Sequence, residues 1–413
     1  MVYNSKLSNN IRVVGEEVPN VRSVSFGIYI KNGSVDETLM NNGISHFIEH
    51  IFFKGTQKRT AKQLADDMSR IGGRINAYTS KEYVCFYAHV LDEHLAVVID
   101  ILSDMLTSSN FFKEDIDKEK GVIHEEFAMY EDSPEELVLD EMHALIWPEQ
   151  SLGYNIIGTK DNINQMTRES LIGYIDKHYV GDNIVMSIVG KINFEQVVES
   201  LENAFSSIQK GAKTPRDKKV IYIPGKKGVT KKIEQGHLAI SFPTTNYFSD
   251  DTYALDIVSV LLGGGLNSRL FQTIREEKGL AYSIFSYVEN FYNTGLFSTY
   301  AATNVSQVEE MYIAIKDEIE LFKKEGITQN ELIEVKEQIK SNLIIGMENM
   351  SARMSHYGKG EMLLGKIRLQ DEMLDLINGV SLATVHELIE STFDFEKVSI
   401  TLASSNSDVI KQL

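Results

Sequence analysis

Cysteine is nearly missing from this chain: Cys85 stands alone among 413 residues. A lone cysteine forms no intrachain disulfide and builds no multi-cysteine metal cluster, so both are excluded. Proline is scarce as well, with six residues. No apolar run reaches the roughly 18 residues that a membrane span needs. The first ten residues (MVYNSKLSNN) are polar and nothing there reads as a signal peptide, so the expected location is the cytoplasm. Basic side chains are outnumbered, 41 against 59 acidic ones, for a net charge of −18. That balance disfavours nucleic acid and anionic membrane as bulk partners. What is present in quantity is hydrophobic residues, 43% of the chain, enough for a folded protein. The length fits two or three domains at about 150 residues each.

Hydrophobic spacing predicts short strands at 11–14 and 21–30, then a helix over 41–53 (NNGISHFIEHIFF) with Asn42 or Gly43 as its cap. A second helix at 60–71 ends at Gly72-Gly73, and two strands share 74–90. Helices follow at 91–106 and 114–130, the latter despite Gly121, which costs roughly 1 kcal/mol relative to alanine. A helix from Pro134 through His143, another at 167–178, a strand at 183–190 and a helix at 194–207 complete this half. Residues 209–229 are rich in lysine, proline and glycine and read as a tether. Beyond them the pattern restarts: a strand at 237–242, helices at 250–262 and 268–277, strands at 281–289 and 295–303, helices at 307–322 and 328–350, and a last strand near 397–403. A local echo supports repetition. Gly73 to Ala77-Tyr78 and Gly279 to Ala281-Tyr282 each lead into strand, turn, strand and helix. The expected architecture is α+β: two homologous domains, 1–210 and 229–413, joined by a linker at 211–228, each a mostly antiparallel sheet packed with helices.

The 41–53 helix carries His46-Phe47-Ile48-Glu49-His50, a His-x-x-Glu-His pattern. Four residues make slightly more than one turn, so His46 and His50 project from one face and can share one zinc ion. Glu49 lies beside the same face, where it can take a proton from water activated by the ion. Histidines at this spacing also occur as inert polar stripes. Here, however, they sit among Ile44, Phe47, Ile48, Ile51, Phe52 and Phe53, where polar groups need partners. The order is the reverse of His-Glu-x-x-His and matches the inverzincin signature. Zinc sites usually need a third protein ligand, and the acidic helix 114–130 offers Glu119, His124, Glu125 and Glu126. Glu119 and Glu126 share a face with Ile123, and composition alone does not choose among the four.

At this point the chain resembles the inverted-zincin metallopeptidases, the family of mitochondrial processing peptidase, pitrilysin and insulin-degrading enzyme. It is similar in particular to short bacterial two-domain members that resemble the processing peptidase beta subunit. GISHFIEHIFFKG (43–55) looks like the family's metal helix and GRINAYTS (73–80) like the strand after it. The resemblance implies one zinc per chain, held by His46, His50 and Glu126, the last because the family's third ligand is a glutamate at the matching distance within GVIHEE (121–126). Seven residues earlier the family keeps a supporting glutamate, here Glu119. A further implied pair, Arg275 and Tyr282 in SRLFQTIREEKGLAY (268–282), would stabilise the substrate carbonyl as it becomes an oxyanion.

Those implications make the expected activity that of a zinc endopeptidase with Glu49 as general base. Its expected substrate is an extended peptide or unfolded segment that adds itself as a strand near Arg74 to Thr79. The expected assembly is a clamshell homodimer in which the metal residues of one chain meet Arg275 and Tyr282 of the other. Three other classes are weaker. Non-catalytic subunits of this fold lose the metal residues, the S-ribosylhomocysteine lyases are less than half this length, and a purely structural zinc domain has no use for Glu49. Gly263-Gly264-Gly265 lacks the Gly-Lys-Ser/Thr that would make it a phosphate loop. Cys85, among Tyr83, Val84, Phe86 and Tyr87, reads as buried and inert.

Overall fold

A computed structural model describes residues 1–216 and 219–413. Asp217 and Lys218, which fall in the expected tether, lie outside the described residues. The chain forms two compact units, and neither is a continuous half of the sequence. Unit one comprises Met1–Phe127, Tyr154–Pro215 and Ile345–Arg368; unit two comprises Ala128–Gly153, Arg216–Ile344 and Leu369–Leu413. These units differ from the expected division into 1–210 and 229–413 by the segments 128–153 and 345–368.

Unit one is built on a six-stranded sheet of β1 (Val2–Lys6), β2 (Arg12–Glu17), β3 (Ser23–Ile30), β4 (Arg74–Thr79), β5 (Val84–Leu91) and β6 (Ile184–Gly190), in the order β1-β2-β6-β3-β5-β4. Every pairing is antiparallel except β2 with β6. β3 lies in the middle, and seven of its eight residues are buried, which is why its sequence SVSFGIYI is almost continuously apolar. β1 falls in the polar stretch where no strand is expected; it adds to the outside of β2, from Val2 opposite Glu16 to Lys6 opposite Arg12. At the other edge β4 pairs with β5 only, and one of its six residues is buried.

Unit two holds β7 (Lys226–Thr230), β8 (Gln235–Thr244), β9 (Ser283–Asn290), β10 (Gly295–Asn304) and β11 (Ser399–Ser404), in the order β7-β11-β8-β10-β9. This is the order and direction of β2-β6-β3-β5-β4, including one parallel pair at the same place. The weak echo in the sequence thus reflects two copies of one α+β topology.

Each sheet is covered by a helix from the other half of the chain. In unit one the helix Met350–Lys359 packs on β3 and β6. It approaches so closely that a Cβ on Gly27 would lie 2.3 Å from Met354 Sδ. Ser187 Oγ donates to the Met354 carbonyl at 2.8 Å, and Tyr357 Oη donates to Glu16 at 2.9 Å. In unit two the helix Pro134–Ile146 packs on β8 and β11, the counterparts of β3 and β6, and Thr401 Oγ1 donates to the Val138 carbonyl at 2.8 Å. The expected helix at 328–350 ends at Gly346, and a further, unexpected helix, Met350–Lys359, starts where Asn349 caps it by accepting from the Ser351 and Ala352 amides. Among the described residues no helix is long and apolar enough to cross a membrane.

From the metal motif onward the first four α-helices are, in chain order, α1 (Ile44–Phe52), α2 (Ala61–Arg70), α3 (Leu95–Ser108) and α4 (Lys113–Glu131). α1 packs against the edge strand β4. α4 runs unbroken through Gly121, whose missing side chain faces open space.

Candidate metal centre

Helix α1 is nine residues long with seven of them buried, so packing rather than intrinsic propensity holds it. It starts from Gly43, whose φ of 94° lies in the left-handed region; a Cβ there would also meet the Ile157 carbonyl at 2.6 Å. Gly43 has no side chain to cap the helix, and the orphan amides are taken instead by Glu37. Its Oε2 accepts from the Gly43 amide at 2.7 Å and from Asn42 Nδ2 at 2.9 Å, and its Oε1 accepts from the Ser45 amide at 2.9 Å. Burial pushes the Glu37 pKa up, and these hydrogen bonds pull against that rise.

One turn into this helix, His46 Nε2 and His50 Nε2 face each other at 3.3 Å. Glu126, from α4, completes a triangle, with Oε1 3.6 Å from His46 Nε2 and Oε2 3.4 Å from His50 Nε2. The three side chains form a potential metal-binding group. A tetrahedral zinc with bonds of about 2.0–2.2 Å sets its ligand atoms about 3.3–3.6 Å apart, so both the spacing and the N, N, O donor set fit that ion. His46 is buried, which together with the neighbouring His50 charge pushes its pKa down to about 3 and keeps the ring neutral. Its Nδ1 has no hydrogen-bond partner among the described residues. His50 behaves oppositely: burial lowers its pKa, but Glu119, Glu126 and Glu49 together raise it above the ordinary value.

Glu119, two turns before Glu126 on α4, places Oε1 2.9 Å from His50 Nδ1. Burial works to raise its pKa, yet the bonds from His50 and Lys54 prevail and hold it low. Glu49 lies half-buried beside the triangle, and its Oε2 accepts from Thr79 Oγ1 at 2.6 Å, at the end of β4. Burial raises the Glu49 pKa, with Thr79 and His50 opposing. The four metal-motif residues and Glu119 are therefore brought together. Arg275 and Tyr282 come together within unit two, where the Arg275 guanidinium lies 4.7 Å from the Phe271 ring centre and 5.5 Å from that of Tyr282. Tyr282 is 78% exposed, so its hydroxyl is open to an incoming group.

The 268–277 helix is a π-helix over Phe271–Glu277, a wider coil than the expected α-helix. Cys85 is buried, and its pKa is pushed up to about 12 by that burial, in line with an inert thiol. Three residues of the centre escaped the sequence reading: Glu37, Lys54 and Thr79. Of these, Lys54 and Thr79 lay in segments already singled out, 43–55 and 73–80, and Glu37 lay in none.

Comparison with known proteins agrees with this geometry. The family model described as insulinase, peptidase family M16, matches residues 12–160, which contain the whole metal set. The model described as peptidase M16 inactive domain matches residues 165–339. A protein of Bacillus subtilis (strain 168) named uncharacterized zinc protease YmxG is 38% identical, with 99% of this chain and 100% of that protein covered. One from Streptomyces coelicolor, named uncharacterized zinc protease SCO5738, is 36% identical over 92% of this chain and 84% of its own. The fold is shared with a crystal structure of a peptidase M16 inactive domain from Pseudomonas fluorescens, at TM-score 0.91 and 16% identity over 98% of both chains. It is shared equally with a protease from Helicobacter pylori, at TM-score 0.91 and 21% identity over 98% of this chain and 99% of that one. Site geometry, family models and relatives point one way, and the chain belongs to the insulinase (M16) family of peptidases.

Proposed function

We propose that this protein is a zinc-dependent endopeptidase that hydrolyses extended peptides or unfolded precursor segments, with Glu49 as general base. The observation that carries this reading is the convergence of His46, His50 and Glu126 with a half-buried carboxylate, Glu49, beside them. A zinc ion held by those three side chains supplies Lewis acidity, lowering the pKa of water and polarising a peptide carbonyl. Glu49 keeps Oε2 on the Thr79 hydroxyl and uses Oε1 to accept the proton of the attacking water. Its raised pKa brings it nearer neutrality, where a base that must later act as an acid works best. As the carbon–nitrogen bond breaks, the same oxygen returns the proton to the leaving amine.

The substrate is proposed to pair with the open edge of β4. Arg74 to Thr79 pair with no further strand there, the Ala77 amide resting on Asn76 Oδ1 at 2.9 Å, and Thr79 touches Glu49, so a strand laid along β4 passes the base. Arg275 and Tyr282 are proposed to stabilise the oxyanion from a second copy of the chain. What supports this is that Tyr282 is exposed beside a half-buried Arg275, and that both belong to a separate unit from the metal set. A non-catalytic zinc-binding subunit is the competing reading, favoured by the inactive-domain match over 165–339; that stretch, however, holds none of His46, Glu49, His50 or Glu126.

Glu49→Gln separates these readings. Glutamine keeps the shape and is not a ligand, so zinc content should match the wild type while peptide turnover falls by about 10²–10⁴. Residual turnover within tenfold of wild type in a fully loaded preparation removes Glu49 as the base. Absence of turnover by the wild type on any unfolded substrate favours the non-catalytic subunit.

A further inference from the structure

Lys54 lies just past the end of α1, four residues beyond His50, with its amide on the Ile51 carbonyl at 3.0 Å. At that spacing its side chain returns along the helix face that carries His50. Its Nζ reaches Glu119 Oε2 at 2.7 Å, while the other oxygen of the same carboxylate lies 2.9 Å from His50 Nδ1. Glu119 is only 2% exposed, so water does not compete for either oxygen. The contacts form a closed loop: His50 to Glu119 to Lys54, and back to His50 through the four-residue stretch of chain that ends α1.

That closure distinguishes Lys54 from an ordinary surface ion pair. Exposed pairs contribute little because both side chains move freely in water. Here the carboxylate is buried, and two donors, one on α1 and one just past its end, set the plane in which it lies. With the ammonium removed, Oε2 becomes a buried acceptor with no donor, and the carboxylate is free to turn away from His50. A carboxylate held against one ring nitrogen keeps the proton there and leaves the lone pair on the other. In this ring Nδ1 faces the Glu119 carboxylate, and Nε2 is the atom that faces His46 and Glu126.

We propose that Lys54 is a positioning residue of the metal centre, acting through Glu119 to keep His50 with Nδ1 protonated and Nε2 presented to the ion. The proposal rests on the zinc reading of the site. It assigns Lys54 no contact with substrate or metal.

The test compares Lys54→Met, Lys54→Arg, Glu119→Gln and the Lys54→Met/Glu119→Gln double variant with the wild type, each as the full chain. Zinc affinity is measured by competition with a chromogenic chelator, and the ring nitrogens of His50 are followed by ¹⁵N NMR in metal-free protein at a pH above the His50 titration, where the ring is neutral. Lys54→Met should bind zinc about 10- to 100-fold more weakly, as losses of outer partners commonly do. Its His50 signals should move from the Nδ1-protonated pattern toward a mixture of tautomers. Lys54→Arg should restore both to near wild type. The double variant should be no weaker than Glu119→Gln alone, because the lysine then has nothing to act through.

Additive losses in the double variant overturn the relay, as does a Lys54→Met chain with unchanged zinc affinity and unchanged His50 signals. If Lys54→Met fails to fold, Lys54→Arg still decides: an arginine chain that folds and binds zinc as weakly as Glu119→Gln overturns the proposal. A wild type that takes up no zinc refutes the reading of the site, and the metal-free ring spectra then decide the relay separately.

Discussion

Truncating Glu37 to alanine should loosen the start of the metal helix, and the size of the effect follows from its three hydrogen bonds. Asn42 Nδ2 also donates to the Asn155 carbonyl at 2.9 Å, so it keeps a partner. The Gly43 and Ser45 amides lose theirs, and both residues are buried. A buried donor left unpaired costs about 1–3 kcal/mol. Two such donors cost about 2–6 kcal/mol, less what water entering the vacated space recovers. We expect a loss of about 2–4 kcal/mol in the opening free energy of α1, above the roughly 1 kcal/mol of an ordinary lost cap. Glu37→Gln keeps one acceptor oxygen and should lose about half as much. The assay is native-state hydrogen exchange of the amides in residues 43–52 of metal-free protein, since a chain of two units need not unfold in one step. The expected loss corresponds to exchange accelerated by about 30- to 1,000-fold at one decade per 1.4 kcal/mol. Acceleration below fivefold in Glu37→Ala, or equal effects in alanine and glutamine, would refute the argument that this carboxylate caps the helix.

The metal ligands can be separated by their faces: Glu126→Ala should lose zinc affinity while Glu125→Ala keeps it, because only Glu126 points at the two histidines. A chelator titration with equal affinities, or with the larger loss at Glu125, would show the wrong face was assigned. Zinc binding should release protons unevenly, since burial keeps His46 neutral with a pKa near 3 whereas the raised His50 must give up its proton. At about pH 6, calorimetry in two buffers should find more than half a proton but fewer than two released per ion, with affinity falling as pH drops through the His50 range; release of two would contradict a neutral His46. Mixing Glu49→Gln and Tyr282→Phe chains should restore about a quarter of wild-type turnover if sites are shared between two copies, because half the dimers then hold one complete site of two. Turnover that stays at the level of the separate variants despite proven subunit exchange would place Arg275 and Tyr282 in service of their own chain or of none.

Local spacing made much of the fold legible. The 3.6-residue pattern around His46 and His50 located α1 because seven of its nine residues are buried. The continuous apolar run of β3 located the centre of the first sheet. What spacing does not carry is the partner of each element. The helices Met350–Lys359 and Pro134–Ile146 are amphipathic whichever sheet they cover, so their exchange between units left no local mark. The close approach that admits one of them depends on Gly27, a single residue in the middle of a strand. β1 was missed for a related reason: an edge strand facing water on one side needs few apolar residues, and VYNSK has few.

The metal centre divides along the same line. His46, Glu49 and His50 are legible because one helical turn fixes their mutual geometry before any tertiary contact forms. Glu126 and Glu119 needed a second helix laid across the first, and the acidic face of α4 alone left Glu125 and His124 as rivals until family resemblance separated them. Glu37 and Lys54 lie seven residues ahead of α1 and two residues past its end, in loops whose path has no periodicity to read. Yet these two determine how firmly the turn is held: one carboxylate anchors the entrance of the helix, and one ammonium fixes the carboxylate against His50. A motif of five residues can therefore specify which atoms meet a metal, while the rigidity of their meeting depends on charged side chains that the motif does not contain.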